Sequence, residues 1–238
     1  MFSGRMTAVL VAAGAILRDF LSAFGISVGS YTSRIGSVVD AASYSAEEIL
    51  ARSTTNALRA MTPELEDAMR CEILSAKADG DSVGGVIRCV ASGLPAGLGE
   101  PFFDTLDGEI AKAVFAVPGV KGIEFGAGFA ASAMRGSENN DSYRMADGAV
   151  RTETNNAGGI LGGMANGAEL SFAVAFKPTP SIAKAQDSVD LFAGTDAELA
   201  VRGRHDPCIA PRGAVVVEAM TIFVIADLLI RGGFACRN

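Results

Sequence analysis

The sequence predicts an α+β fold, and three observations carry that expectation. Stretches with helical spacing of apolar residues are mixed with short apolar, β-branched runs, without the strict strand-helix-strand alternation of a doubly wound sheet. Hydrophobic residues make up 49% of the 238 positions against 20% charged, enough for one large core and too apolar for a disordered chain. Glycine and proline mark ends of these runs, as at Gly25, Pro63, Gly80 and Gly232.

Taken in order, a helix is expected from about Arg5 to Phe24, with Val9, Leu10, Ala13, Ile16, Leu17, Phe20, Leu21 and Phe24 as one core-facing stripe and Gly25 as its cap. The apolar run Met6 to Leu17 has the length of a secretory signal core. Arg18 and Asp19 follow it directly, however, so a core helix is the better reading than a leader at 1–24. Thr62-Pro63-Glu64-Leu65-Glu66 sets an N-cap, a first-turn proline and two acids at the positive end of a helix running to about Asp79, closed by Gly80. Val83 to Ala91 reads as a strand, Phe103 to Ala116 as a helix and Val120 to Phe125 as a strand.

From Gly126 to Gly159 no period is sustained, which predicts a long loop, mobile without a ligand. Leu170, Phe172, Val174 and Phe176 then alternate with smaller residues, as in a strand with one buried face. A last helix covers 214–231. Its apolar core, Val215 to Ile230, is shorter than a membrane span and carries Glu218 and Asp227, so it reads as a buried helix. "GDSVGGVIRCVASGLPAG" and "GGILGGMANGAELSFAVAFKPTP" each place a glycine pair before a strand that runs into a proline turn, either a weak pseudo-repeat or two independent turns.

Charge and cysteine content narrow the function classes. The net charge of −7 and the lack of a Lys/Arg run argue against nucleic acid or an anionic membrane as partner. A small anionic ligand would need a few cations concentrated locally. Cys71, Cys89, Cys208 and Cys236 lack paired zinc spacing and read as reduced thiols in cytoplasm; His205, the one histidine, cannot build a metal site alone, and no metal is expected.

Five segments combine glycine with polar or charged residues beyond the needs of packing: "FSGRMTA" (2–8), "GDSVGG" (80–85), "AGGILGGMANG" (157–167), "KPTPSI" (177–182) and "GRHDPC" (203–208). Such glycines let backbone approach a ligand and turn N–H donors toward anionic groups. In the fourth, Lys177 follows an apolar strand, Pro178 and Pro180 stiffen the turn, and Thr179 and Ser181 can aim hydroxyls at one point. That makes either a phosphate or ring-edge site or a plain stiffened turn with a solvated lysine. In the fifth, Arg204, His205 and Asp206 are adjacent: Arg suits bidentate binding of an anion and Asp can relay a proton, yet for the tripeptide taken alone a self-satisfied Arg–Asp turn is the better reading. "GDSVGG" is also readable as a tight turn in which Asp81 and Ser82 bond nearby backbone.

In their order and spacing these segments resemble chorismate synthases along nearly the whole chain. The resemblance is carried by "SGR-TA--VAAGAI", "AK-DGDSVGG", "GLPAGLGEP-FD-L", "VKGIEFGAGF", "GSE-ND", "AGGILGG", "FKPTPSI", "GRHDPC" and "EAM". It implies a sandwich of helices between antiparallel sheets, with 1–238 as a single domain matching the C-terminal two-thirds of the family fold and 126–159 as a mobile active-site loop. It implies the lyase reaction that ends the shikimate pathway of aromatic amino-acid biosynthesis: 5-enolpyruvylshikimate 3-phosphate loses phosphate and a ring hydrogen in a 1,4-elimination to give chorismate, with reduced FMN required and NADPH as a possible reductant. It further implies a cytoplasmic homotetramer.

Carried over motif by motif, the resemblance assigns FMN contacts to Phe2, Ser3, Gly119, Gly162, Lys177, Pro178, Thr179, Pro180, Ser181 and Arg204. Arg204 also faces substrate, and Asp206 lies near the reactive edge of the flavin as the catalytic acid/base. Family members carry, ahead of the first of these motifs, a region with two general-acid histidines and several substrate arginines; the sequence here starts at Met1 where a family arginine would stand, Met6 replaces an acid, and Pro118-Gly119 occupies a variable flavin-contacting pair. The other reading is a non-catalytic flavin-binding or oligomerising remnant of the family, and uncovered strand edges and apolar surface are expected in either case.

Overall fold

A five-stranded antiparallel sheet carries the fold in the computed structural model, which describes residues 4–146, 148–203 and 205–235. The first helix, α1 (Thr7–Ser22), ends before Gly25, whose φ of 73° reverses the chain into β1 (Ser27–Ile35) and the short β2 (Val38–Val39). A capping box, Ser45 with Glu48, starts α2 (Ala46–Arg52). The best-signalled helix of the sequence is α3 (Pro63–Ala78), with the Thr62 side chain accepting from the Leu65 N–H as expected. Then come β3 (Gly85–Ser92), α4 (Leu106–Phe115) and β4 (Val120–Phe125), each within a few residues of its predicted range.

The aperiodic stretch after Phe125 holds a 3-10 turn at Gly128–Ala133, the single turn α5 (Gly136–Asn139) and a hairpin of β5 (Tyr143–Ala146) with β6 (Ala149–Thr152). It is folded back on Asp141, whose carboxylate accepts from the N–H groups of Asn156 and Ala157 and from the Thr154 hydroxyl at 2.7–2.9 Å. A small hairpin, β7 (Ile160–Leu161) with β8 (Met164–Ala165), precedes the central strand β9 (Leu170–Phe176). A further hairpin, β10 (Gln186–Asp190) with β11 (Thr195–Leu199), leads to α6 (Ala210–Arg231).

The sheet order is β2-β1-β3-β9-β4. The two glycine-led segments that look alike in sequence are therefore neighbours: β3 and β9 pair antiparallel from Gly85 opposite Phe176 to Ala91 opposite Leu170. Alternation fixes their faces as expected. Leu170, Phe172, Val174 and Phe176 point with Ile87 and Cys89 into the main core, where α6 closes the sheet; Tyr31 and Val90 point the other way into a small cluster under α2. The mixture of helices with antiparallel sheets is the α+β class that the sequence predicts.

Two helices differ from expectation. The last begins at Ala210 rather than 214, because Pro211 sits in its first turn where a missing N–H is harmless. It is long and apolar enough to cross a membrane, yet 72% of that stretch is buried within the fold, against α1, α4, β1 and β3. Helix α1 lies on α6 through Gly14 and Leu21, so only part of the predicted stripe is covered: Val9 and Ile16 remain 72% and 74% exposed. A helix resting on one neighbour buries a narrower face than its apolar stripe offers. Phe102, Phe103, Phe129, Leu191 and Phe192 are also exposed. Cys71, Cys89 and Cys208 are free thiols; burial pushes Cys89 up to about 12 and Cys208 up to about 11, so both stay protonated and inert.

Candidate active site

A groove of about 1300 Å³ opens where β9 runs out and α6 begins. Its walls come from chain segments far apart in sequence: Gly4, Arg5 and Thr7 at the start of α1, the end of α3 with Gly80 and Asp81, Val117–Gly119 before β4, the stretch 176–183, and 203–213 around the start of α6. Its floor is apolar, formed by Val117, Phe176, Ile209 and Val216. Among the described residues its charged lining is Arg5, Lys77, Lys177 and Arg212 against Asp81 and Asp206, with His205 beside them. An acidic protein thus concentrates cations at one concave place, as a small anionic ligand requires.

Backbone hydrogen bonds position the turn that carries Lys177. The Lys177 N–H donates to the Gly119 carbonyl at 2.9 Å, joining the end of β9 to the residue before β4. Gly119 has φ +94°, and a Cβ there would stand 2.6 Å from Ile209 Cδ1, so a side chain would be both strained and pushed into the groove floor. Ser82 Oγ donates to the Thr179 carbonyl at 2.7 Å, while the Val83 N–H donates to the Pro207 carbonyl at 2.8 Å. The "GDSVGG" turn consequently holds both the "KPTPSI" and "GRHDPC" segments. Lys184 closes the arrangement by donating to Asp81 Oδ2 at 2.8 Å; that bond, with the Ser82 N–H on Oδ1, holds the Asp81 carboxyl below its usual range and raises the Lys184 ammonium.

Asp206 is partly buried, and Arg212 Nη1 lies 2.5 Å from its Oδ2; the guanidinium itself remains 79% exposed. His205 Nε2 is 3.2 Å from the Val201 carbonyl, a bond in which the ring must donate. It reads as a structural contact. The Thr179 hydroxyl is buried with no hydrogen-bond partner among the described residues, a polar atom left for something the groove receives.

The structure brings Gly119, Lys177, Pro178, Thr179, Pro180, Ser181 and Asp206 to this groove. Gly162 is not among its walls: it caps the β7-β8 hairpin, whose neighbour Gly163 faces Thr105 at the start of α4. None of the described residues in 126–159 borders the groove either. Phe2, Ser3 and Arg204 lie outside the described residues, although Gly4, Gly203 and His205 next to them line the groove. Sequence reasoning missed Lys77 and Arg212. The signal for Arg212 was Pro211-Arg212 five positions after "HDP", a cation just inside a helix start where an acid would be favourable. No cluster of His, Cys, Asp and Glu able to hold a metal ion occurs among the described residues.

Comparison with known proteins agrees along the same residues. The family model described as chorismate synthase matches residues 1–230. The chain is 48% identical over 236 residues to a chorismate synthase of Dehalococcoides mccartyi (strain ATCC BAA-2100 / JCM 16839 / KCTC 5957 / BAV1), covering 99% of this chain and 65% of that protein. It is 46% identical over 230 residues to one of Korarchaeum cryptofilum (strain OPF8), covering 97% and 63%. A crystal structure of chorismate synthase superposes with a TM-score of 0.80 at 31% identity, over 97% of this chain and 65% of that one. The chain spans just under two thirds of the length of these relatives, and with the family model matched over residues 1–230 it belongs to the chorismate synthase family.

Proposed function

We propose that the groove is the flavin and substrate site of a chorismate synthase, eliminating phosphate from 5-enolpyruvylshikimate 3-phosphate to give chorismate in a reaction that requires reduced FMN. The observation that carries this reading is the meeting of "KPTPSI", Gly119 and Asp206 in one cation-lined groove with an apolar floor.

The residues fit such a cofactor on one count: the Thr179 hydroxyl is a buried polar atom with no hydrogen-bond partner among the described residues. Lys177, Thr179 and Ser181 would hold the flavin's polar edge on a turn stiffened by Pro178 and Pro180, and the apolar floor would exclude water from its ring. Phe2, Ser3, Gly162 and Arg204 complete the proposed contacts, with Arg204 also toward substrate; Gly162, lying away from this groove, would reach flavin only in an assembly such as the proposed homotetramer. Reduced FMN, when bound, supplies an electron-rich ring that stabilises electron deficiency as the phosphate departs. Asp206 would hold or pass a proton at its carboxylate, and the groove cations Arg5 and Lys77 would stabilise the departing phosphate. The proposed setting is cytoplasmic, with NADPH as the possible reductant, the chain as a single domain and 126–159 as its active-site loop.

The test is an anaerobic titration of the purified chain with reduced FMN and 5-enolpyruvylshikimate 3-phosphate, followed by a chorismate assay in the same tube. Chorismate formation supports the reading. Flavin binding without turnover supports a non-catalytic remnant, and binding of neither ligand overturns the assignment of the groove.

A further inference from the structure

We infer that Arg212 is a positioning residue that holds the Asp206 carboxylate in its working orientation, an inference that rests on the chorismate synthase reading of the groove. Four observations point to it. Arg212 Nη1 lies 2.5 Å from Asp206 Oδ2, and both residues line the groove beside Lys177 and Gly119.

Arg212 stands in the first turn of α6, which contains no acidic residue, at the end of the helix where the dipole disfavours a cation. Local stability therefore does not ask for an arginine at this position, and a guanidinium 79% exposed gains little from an ion pair. A residue placed against local preference inside a concave site is the pattern expected of function.

The helix start that carries Arg212 is held firmly. A Cβ on the next residue, Gly213, would stand 2.4 Å from Phe176 Cζ, so α6 presses directly on the end of β9, one residue before Lys177. Six residues further along, Glu218 is fixed from three sides by Arg18, Arg59 and Ser30. Arg212 thus has an anchored backbone and an exposed head, the combination that lets a side chain aim its partner. Asp206, just before Pro207 in the turn leading to α6, has this guanidinium as its one ion-pair partner among the described residues.

The experiment compares R212A, R212K, D206N and the double variant R212A/D206N in the full chain. R212A is expected to leave the Kd for reduced FMN within about twofold and KM within about threefold, while kcat falls about 10- to 100-fold, the usual effect of losing an outer partner that orients an active group. R212K restores part of that loss, and the double variant is no slower than D206N alone. Loss confined to KM or to FMN affinity, or multiplicative losses in the double variant, overturns the inference. A wild-type chain that makes no chorismate sinks the functional reading instead. The pair is then judged on the ¹³Cγ resonance of Asp206, identified by its disappearance in D206N. It is expected to move in R212A and to return toward its place in R212K; a resonance indifferent to both changes overturns the inference whatever the activity.

Discussion

Arg59 Nη1 reaches Glu218 Oε2 at 2.8 Å in the interior of the protein, where Glu218 is 2% exposed. The same oxygen accepts from Ser30 Oγ at 2.8 Å, and Arg18 engages Oε1 from α1. Arg59 adopts a left-handed backbone with φ 53°, uncommon for a residue with a side chain, and its carbonyl accepts from the Thr32 N–H. One carboxylate therefore joins α1, β1, the loop before α3 and α6 at a single point.

Glu218→Ala should be strongly destabilising, since removing one member of a buried ion pair leaves the other charges uncompensated, at about 3–5 kcal/mol. Urea denaturation measures it. Because α6 also carries one wall of the groove, Glu218→Gln, which keeps the shape, is expected to lose less stability than Glu218→Ala; a loss under about 1 kcal/mol for both would show that packing alone holds the helix.

Lys177→Ala and Asp206→Ala should separate binding from turnover. Lys177 stands exposed at the rim of the groove, and its loss is expected to weaken reduced-FMN binding about tenfold, one charge-assisted contact's worth. Asp206→Ala should spare that affinity and reduce turnover. Anaerobic flavin titration with a chorismate assay decides it, and equal loss of affinity in the two variants would undo the division of roles.

The Asp81–Lys184 tie gives a pH dependence of defined sign. Asp81 has its folded pKa depressed, so its contribution is present above the unfolded value near ~4 and is lost as pH falls through the folded one. Lys184 is raised, so its contribution persists below ~10 and is lost at higher pH. Asp81→Asn should therefore lower Tm at neutral pH, with wild type and variant converging below about pH 3. A constant offset across that range would mean that the carboxylate's charge is irrelevant to the turn.

Asp141 tests the segment 126–159. If its three hydrogen bonds hold the segment to the 154–157 turn, Asp141→Ala should speed hydrogen exchange at Asn156 and Ala157 by at least about tenfold while leaving β9 unchanged. Fast exchange already present in the wild type would support a mobile loop.

How much of this was legible depended on which force set each element. Helix α3 was readable because Thr62 and Pro63 write its start locally, and β9 because its alternation writes the buried face. The stretch 26–61 carried no such signal. Strand β1 is built of Ser30, Thr32 and Ser33 as much as of apolar residues, and these are buried because distant groups satisfy them, as when Thr32 Oγ1 donates to the Leu58 carbonyl at 2.5 Å. Periodicity cannot register a polar residue whose partner lies 26 positions away. The groove was legible as motifs and not as a shape: "KPTPSI" and "GRHDPC" were each ambiguous alone, and their meeting depends on Ser82 and Val83 bonding both. Arg212 escaped because it falls between the "GRHDPC" motif and the helix expected from 214, where a lone arginine carries no pattern.

The place of α6 in the chain has a consequence for synthesis. On a ribosome every strand of the sheet emerges before the helix that covers it, so Ile87, Cys89, Phe172 and Val174 must wait in water, or in the keeping of a chaperone, for residues 210–231 to appear. The groove is completed in that same late event, since its first wall, at Gly4, Arg5 and Thr7, and its last, at Arg212, Gly213 and Val216, are among the most distant partners the chain brings together. A nascent chain stalled short of α6 would be an aggregation hazard with no site at all.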